Sequence, residues 1–376
     1  MKLVHTSDWH IGRSLNGYSL LEDQRYFLSQ LVDFLVEYRV DALLISGDLY
    51  DRSVPSAQAV QLVDEFLTEV VLRRNIKTFI IAGNHDSPER LSFSNRFLES
   101  SGLYMQGNLP REIKKIPLVC GDEAVVIWML PYFHPAQVRE LYPEEKIVGY
   151  QQAAEKIASL ISPSPNTLNL LMAHGFYLNG SAKDGCLYSE SEYSVGGSDL
   201  IDLGIFPKFD YVALGHLHAP QSAGENGFYS GSPLKYSLSE EKQKKGIVLL
   251  EIQNKTIQQS LHSFQTLRDV RKIQGKFQEL MLQQSDDYVF VELLDQEYVL
   301  NAMEQLRVRF PNILGMHYSS LEYQQPLLEG EEPALSQSLK DILKKFYLET
   351  VGNEMTQQEE QLVDQILLQL DQGGKP

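Results

Sequence analysis

The sequence has little cysteine and no long apolar run. Its 376 residues include only two cysteines, Cys120 and Cys186, which lie far apart and outside any C-x-x-C spacing. This spacing suggests neither a disulfide framework nor a thiolate zinc site. The first residues, MKLVHTSD, turn polar too soon for a signal peptide, and nowhere do about 18 apolar residues follow one another. We therefore expect free thiols and a cytoplasmic protein that does not enter a membrane.

Basic residues are also scarce. Lys and Arg number 33 against 50 Asp and Glu, which gives a net charge of -17. A DNA-binding module is usually basic, so composition alone favours an enzyme for small molecules. Part of the acidity is local, because the stretch from Leu327 to Pro376 holds ten acids and four bases. No segment resembles a Walker A loop, so any ATP has to be bound by a partner.

What the chain does contain is an alternation of short apolar runs and amphipathic stretches. The runs predict buried strands at Leu3 to His5, Ala42 to Ser46, Thr78 to Ala82, Leu168 to Ala173 and Tyr211 to Leu214. The stretches Asp23 to Val36 and Ser56 to Leu72, the latter with Val60 in its apolar stripe, predict covering helices. This alternation predicts an α/β sheet with its functional loops at the carboxyl ends of the strands. The length predicts two or three domains.

Candidate metal ligands follow these predicted strands. They are Asp8 and His10 in SDWH, Asp48 in GDLYD, Asn84 in GNHD, His174 in AHG, and His216 and His218 in GHLH. Any one block has an ordinary explanation as a turn or a packed histidine, but five blocks at successive strand ends predict a metal site. Oxygen and imidazole donors suit manganese, iron or zinc. Seven ligands exceed the needs of one ion, and a carboxylate can bridge two ions about 3.5 to 4 Å apart.

The order of these blocks resembles the calcineurin-like metallophosphoesterase superfamily. The resemblance implies an α/β (α+β) fold in which two packed sheets form a sandwich flanked by helices, rather than one open sheet. It assigns Asp8, His10, Asp48 and His218 to one metal ion and Asp48, Asn84, His174 and His216 to the other. It also implies that His85, which is not a ligand, lies close to the scissile phosphate and protonates the leaving oxygen or stabilises its developing charge. Asp51 departs from the archaeal and eukaryotic nucleases of the superfamily, which usually have a second histidine there.

Longer segments resemble the SbcD branch, a family of bacterial nuclease subunits. They are HTSDWHIGRSLNGYSLLEDQRYFLSQL and FYSGSPLKYSLSEEKQKKGIVLLEI. We expect a nuclease domain at 1–265 and a small α/β cap at 266–328, with a strand at Tyr288 to Leu294, a helix at Tyr298 to Phe310 and a strand at Ile313 to Tyr318. The resemblance implies two Mn²⁺ ions, exonuclease activity on double-stranded ends, endonuclease activity on single strands and hairpins, and a place in DNA repair, recombination and replication. Candidate phosphate contacts are Arg13, Arg52, Arg90, Lys235, Lys244, Lys245, Arg268, Arg271, Lys272 and Lys276.

The tail at 329–376 is predicted to be helical. Two apolar stripes lie at helical spacing, one at Leu335, Leu339, Ile342, Leu343 and Phe346 and one at Leu362, Val363, Ile366, Leu367 and Leu370. They either pack within the chain or, as the resemblance implies, bind the coiled-coil ABC-type ATPase SbcC. The resemblance also implies a homodimer within a heterotetramer. Two other interpretations stay open: a metallophosphoesterase for small phosphodiesters or monoesters, and a scaffold without catalysis, which the complete ligand set opposes.

Overall fold

The computed structural model describes residues 1–179, 199–206 and 209–319, together with Leu187, Lys344, Tyr347, Met355, Thr356, Glu360 and Val363. Met1–Ser320 forms one compact unit and Leu321–Pro376 a second. Cys186 and most of the predicted helical tail therefore lie outside the described residues, whereas Cys120 is a free thiol as expected. Among the described residues, no helix has the length and apolar character that a membrane crossing requires.

The strands and helices follow the predicted alternation. In chain order the strands are β1 (Lys2–Thr6), β2 (Ser14–Leu15), β3 (Tyr18–Ser19), β4 (Ala42–Ser46), β5 (Lys77–Ile81), β6 (Leu103–Gln106), β7 (Lys114–Cys120), β8 (Glu123–Leu130), β9 (Leu168–His174), β10 (Tyr177–Leu178), β11 (Ile201–Asp202), β12 (Tyr211–Gly215), β13 (Gln221–Ser222), β14 (Gly227–Tyr229), β15 (Ile247–Gln253), β16 (Thr256–His262), β17 (Val270–Gly275), β18 (Tyr288–Leu293) and β19 (Ile313–Tyr318). The helices are α1 (Leu21–Glu37), α2 (Ala57–Leu67), α3 (Pro88–Leu91), α4 (Asn95–Leu98), α5 (Pro135–Leu141), α6 (Tyr150–Ser159), α7 (Phe277–Leu280) and α8 (Ala302–Arg307).

Two six-stranded sheets form the body of the first unit. One has the order β16-β15-β1-β4-β5-β6 and the other β13-β14-β12-β9-β8-β7. Strands β1, β4, β5 and β6 run parallel, as do β8, β9, β12 and β14, while β15 and β7 are antiparallel to their neighbours. One apolar core joins the inner faces of the two sheets. The two-sheet sandwich is therefore confirmed, and the single open sheet suggested by alternation alone is wrong.

The central strands are mostly apolar because both of their faces are buried. In β4, Leu43 and Ile45 belong to the core that also contains residues of α1 and α2, whereas Leu44 belongs to the core between the sheets. In β9, Leu171 packs toward α6 and Leu170 toward the other sheet. Successive side chains of a strand point to opposite faces, so a sheet covered on both faces favours apolar residues at successive positions.

The second predicted helix is shorter than expected. Ser56 caps α2 by accepting a hydrogen bond from the N–H of Ala59. The α-helix ends at Leu67, and Thr68–Arg73 continues as a π-helical turn. Val60 is 45% exposed and does not join the buried stripe of Ala59, Leu62, Val63 and Phe66. The prediction that Val60 belongs to the apolar stripe is wrong, because its side chain is rotated around the helix axis from that of Ala59 and points away from the buried face.

Strands β17, β18 and β19 form a parallel sheet of their own, the cap sheet. It has a separate apolar core that includes Val291, Leu306 and Phe310. Both predicted strands are confirmed, although β18 ends one residue earlier. The predicted helix Tyr298 to Phe310 shrinks to α8, because Asn301 takes a left-handed conformation (φ 53°) directly before it. The spacing of apolar residues does not reveal where a residue in a left-handed conformation interrupts a helix.

The cap sheet is tied to α1 by charged and polar contacts. Arg268, just before β17, donates to Asp23 at 2.9 Å and forms a short ion pair with Glu22. The Tyr288 hydroxyl also donates to Asp23, at 2.8 Å. Asp23 is almost fully buried, so its carboxylate requires these partners. The boundary predicted at residue 265 stays a prediction.

Candidate metal centre

All seven candidate ligands lie at one edge of the sandwich. Asp8, Asp48 and Asn84 follow β1, β4 and β5, which are adjacent parallel strands. His174 ends β9, and His216 comes directly after the neighbouring strand β12 in the opposite sheet. The carboxyl ends of parallel strands share one edge, so residues distant in sequence converge there. The topology therefore brings together what the motifs predicted.

Four of these residues have an unusual backbone. Asp8 (φ 54°), His10 (φ 44°), Asp48 (φ 50°) and His216 (φ 113°) all have positive φ. Non-glycine residues rarely take this conformation, and it persists only where surrounding contacts hold it. Two such contacts join the first two loops: the N–H of Asp8 donates to Gly47 at 3.0 Å and that of His10 to Asp48 at 2.9 Å. These loops aim their side chains at a common point.

Two glycines allow the loops to approach so closely. A Cβ on Gly47 would lie 2.2 Å from Nδ1 of His174, and one on Gly83 would lie 2.1 Å from Oδ1 of Asp48. Neither contact can be tolerated, and Gly47 also has φ of 92°. The glycines of GDLYD and GNHD are thus required by packing around the ligands.

One cluster consists of Asp8, His10 and His218, whose ligand atoms lie within 4.8 Å of one another. The Nε2 atoms of His10 and His218 are 3.2 Å apart. Nδ1 of His218 donates to Glu240 at 3.1 Å, so its Nε2 carries a lone pair when the ring is neutral. The Asp8 carboxylate accepts the His216 N–H at 3.0 Å, which ties this cluster to the next.

A second cluster surrounds Asn84. Its Oδ1 lies 3.0 Å from Nε2 of His174 and 3.2 Å from Nδ1 of His216. Nδ1 of His174 donates to the Ser46 carbonyl at 2.8 Å. When the ring is neutral, its Nε2 is therefore an acceptor, and it faces a second acceptor, Oδ1 of Asn84. Facing acceptors repel unless a proton or a cation lies between them.

Asp48 lies between the two clusters. Its Oδ2 is 3.6 Å from Nε2 of His10 and 3.4 Å from Nε2 of His174. Its Oδ1 accepts the N–H of His85 at 2.9 Å, which fixes the carboxylate plane. One oxygen is therefore in reach of both clusters, and the other is held by the backbone.

The buried carboxylate of Asp48 favours positive charge at this edge of the sandwich. Burial opposes ionisation of Asp48, but His174 and His10 outweigh it and hold the pKa of the carboxyl well below its usual range. Burial would likewise lower the pKa of His174, yet the charge of Asp48 raises it to about 9. Burial, with His174 nearby, lowers the pKa of His216 to about 4. A cation bound beside Asp48 would compete with the proton on His174.

The donor set fits divalent cations. It consists of carboxylate and amide oxygens and imidazole nitrogens, with acceptors converging from two sides on Asp48. Such donors suit borderline divalent ions, and the buried carboxylates require positive partners. His10, His174 and His218 are almost fully buried, so their rings are held in place before any ion binds.

His85 lies beside the clusters and is oriented by Asp51. Its Nδ1 donates to the Asp51 carbonyl at 3.0 Å, which leaves Nε2 as the free ring nitrogen. Its ring stands edge-on to His10 with centroids 4.8 Å apart, and both residues line the same pocket. The Asp51 carboxylate accepts from Arg13 at 3.3 Å. Asp51 thus orients both His85 and Arg13.

Sequence reasoning missed three supporting residues. Glu240, in SLSE, is fully buried between His218 and Lys245, whose Nζ is 2.6 Å away. Asp86, the last residue of GNHD, accepts the N–H groups of Leu49 (3.1 Å) and Gly83 (2.9 Å) and so joins two ligand loops. Burial raises the pKa of Asp86 to about 6, with the charge of Asp48 adding to the effect.

Gln24 is the third residue. Its side chain accepts from the Gly12 N–H at 2.9 Å and donates to the His10 carbonyl at 2.8 Å, so one amide holds both sides of the first loop. Of these three residues only Asp86 could have been found from the sequence, because it belongs to the GNHD motif. Glu240 and Gln24 carry no local signal, because their partners are set by tertiary contacts.

The predicted DNA contacts are scattered around the molecule. Arg13 lines the pocket, Arg52 is 82% exposed near Asp51, and Arg90 is exposed on α3 without an ion pair among the described residues. Acids hold three more of them: Lys235 by Asp269 (2.8 Å), Arg271 by Asp287 (2.7 Å) and Lys272 by Glu292. Lys245 is only 7% exposed, so its suggested contact with DNA is wrong. The remaining contacts stay predictions.

Comparison with known proteins agrees with this architecture. Residues 1–220 match the family model described as calcineurin-like phosphoesterase. Residues 265–351 match one described as type 5 capsule protein repressor C-terminal domain and labelled SbcD_C. A protein of Staphylococcus saprophyticus, named as the SbcD subunit of the nuclease SbcCD, is 31% identical over 100% of both chains. The chain belongs to the SbcD family of calcineurin-like phosphoesterases.

A second relative gives the same result. A Staphylococcus epidermidis protein with the same name is 31% identical over 98% of each chain. The similarity to SbcD proteins therefore includes the cap sheet and reaches the region of the tail, beyond the five ligand blocks. Membership in this metal-dependent family, together with the donor set, shows that the chain is a phosphoesterase that uses divalent metal ions.

Proposed function

We propose that this chain is the nuclease subunit of an SbcCD-type complex and cuts phosphodiester bonds of DNA with two metal ions. The observation that carries the proposal is the position of Asp48 Oδ2, 3.6 Å from a nitrogen of one cluster and 3.4 Å from a nitrogen of the other. A carboxylate shared by two clusters is typical of two-metal hydrolases. The names of the full-length relatives, which are nuclease subunits, support a nucleic acid as the substrate.

The candidate ligands form two sets that share Asp48. His10, His218 and Asp8 would hold one ion with Asp48, and Asn84, His174 and His216 would hold the other. When bound, the ions lower the pKa of an attacking water and neutralise the phosphoryl oxygens. We propose Mn²⁺ as the ion, since these oxygen and nitrogen donors suit it.

His85 would act on the leaving group. When the ring is doubly protonated, Nε2 carries a proton that it can give to the leaving oxygen, while the N–H at Nδ1 stays bonded to the Asp51 carbonyl. Arg13, held by the Asp51 carboxylate and lining the same pocket, would stabilise a non-bridging phosphate oxygen. Both residues lie on the His10 side of the pocket.

Cleavage of a hairpin-ended DNA duplex tests the proposed function. We expect the purified chain with Mn²⁺ to open the hairpin and to shorten duplex ends, with full loss after chelation and recovery when Mn²⁺ is restored. The matched comparison is hydrolysis of a small chromogenic diester under the same conditions. Turnover of the diester without cleavage of DNA, even with SbcC and ATP, would establish the alternative, a small-molecule phosphodiesterase, which the net charge of -17 favours.

We further propose that the chain forms a cytoplasmic homodimer and binds the ABC-type ATPase SbcC through its tail, residues 329–376. The names of the relatives, which make them the SbcD part of SbcCD, support the partner. Self-association is supported by apolar side chains that are widely exposed in the first unit: Leu72, Phe93 and Phe97 are 64%, 78% and 81% exposed. Leu72 and Phe93 line one groove. Soluble monomers rarely expose such patches.

Molar mass by light scattering tests both contacts. We expect the full chain to be a dimer alone and to form a complex of two copies each with SbcC. A chain ending at Gly330 should remain a dimer but fail to capture SbcC, because the predicted apolar stripes are removed. Undiminished capture by the shortened chain would place the SbcC contact elsewhere, and a monomeric full chain would refute the homodimer.

A further inference from the structure

The pocket at the metal centre has two chemically different sides. On the side of His10 and His218, Arg13 places its guanidinium 5.0 Å above the ring of Tyr236. The side of His174 is lined by aromatic residues, Tyr132, Tyr150 and Phe176. These three side chains are half-buried, so part of each remains open to the pocket. A substrate that fills the pocket therefore meets a cation on one side and aromatic rings on the other.

Tyr132 is held firmly at this position. It follows the end of β8, and its N–H donates to the carbonyl of Ala82 at 2.8 Å, next to the loop that carries Asn84. Its hydroxyl is 2.9 Å from that of Tyr150, the first residue of α6. Its ring centroid lies 6.3 Å from that of His174, at an interplanar angle of 83°. Within the described part of the chain, this edge-on contact with His174 is the one ring-to-ring contact of Tyr132, so no ring stacks on its face.

The chemistry of this side suits a flat, uncharged group. Asp199 also lines it, close enough to affect Tyr132 electrostatically, and its carboxylate disfavours a phosphate there. Aromatic side chains stack on nucleobases of any sequence, because every base has a π face. A base is separated from its own phosphate by a single deoxyribose, so a ring beside a metal ligand is within reach of a base next to the reacting bond.

We propose that Tyr132, braced by Tyr150, forms a subsite for one unstacked nucleobase adjacent to the phosphodiester that is cut. This inference rests on the proposed nuclease function and specifies its substrate. A base inside a duplex is covered by its neighbours and has to leave the stack to meet Tyr132. The subsite therefore selects single strands, hairpin loops and frayed ends over intact duplex.

The wild-type chain by itself provides the first test. The bond cut in a hairpin loop is mapped, and a tetrahydrofuran abasic residue is then placed on either side of that bond in turn. We expect kcat/KM to fall roughly 5-fold to 100-fold for one of the two positions, the range of base stacking on an aromatic ring. Equal cleavage of the normal and both abasic hairpins would overturn the subsite while leaving the nuclease function intact. Failure to cut any of the hairpins would overturn both.

Variants of Tyr132 identify the ring responsible. Y132L should cut normal DNA more slowly and lose the difference between normal and abasic hairpins, whereas Y132F should keep the wild-type ratio. The ratio is informative because damage to His174 would slow both substrates equally and leave the ratio unchanged. A wild-type ratio in Y132L would assign the base to another residue and overturn the proposal.

Discussion

Replacement of Asp48 by Asn is expected to lower the rate of DNA cleavage by about 10³-fold or more and to weaken binding of both metal ions. The reason is that Oδ2 of Asp48 lies within 3.6 Å of a nitrogen of each cluster, so its charge serves both ions. Asn is preferable to Ala here. Its amide oxygen can still accept the His85 N–H, and Asn tolerates the left-handed backbone of residue 48 (φ 50°).

The measurement combines hairpin cleavage at saturating Mn²⁺ with metal content by titration calorimetry. Asp64→Asn is the matched control, since it removes one carboxylate from the exposed face of α2. We expect the control to bind two ions and cleave DNA like the wild type. If Asp48→Asn bound two ions with wild-type affinity and kept a tenth of the activity, Asp48 would not bridge the ions.

Replacement of His85 by Ala should give a different result: a loss of about 10² to 10⁴ in kcat for DNA with metal binding retained. His85 is oriented by the Asp51 carbonyl and is not one of the proposed ligands. Proton donation matters most when the leaving group is a poor one, such as the deoxyribose oxygen of DNA. Hydrolysis of a 4-nitrophenyl diester, whose leaving group needs no proton, should therefore fall by less than about 10-fold.

His317→Ala is the matched control for His85. It removes a half-exposed imidazole from β19 of the cap sheet, away from the pocket, and should leave both reactions at the wild-type rate. An equal loss on both substrates in His85→Ala would contradict general acid catalysis and point to a structural or phosphate-binding role. Loss of a metal ion in this variant would make His85 a ligand.

The sequence determined the positions of the candidate ligands but not the reason they converge. Each block follows a short apolar run, and local chemistry was enough to recognise Asp8, Asp48, Asn84, His174 and His216 as residues at strand ends. The strand bounds were within about a residue of those predicted, because a strand covered on both faces reads as a nearly continuous apolar run. The packing of two sheets was implied by family resemblance, since apolar runs do not specify which strands are neighbours.

The tertiary structure decided the features that depend on distant partners. The roles of Glu240 and Gln24 arise from contacts with His218 and His10, which lie 22 and 14 residues away, beyond the reach of any local pattern. Lys235, Arg271 and Lys272 looked free in sequence, yet acids hold all three. The side chains of Tyr132 and Tyr150 meet only because β8 ends and α6 begins at the same pocket. Sequence determines which chemical groups are present and which strands are buried, whereas the fold decides which groups touch, because contact depends on chain topology rather than on separation along the chain.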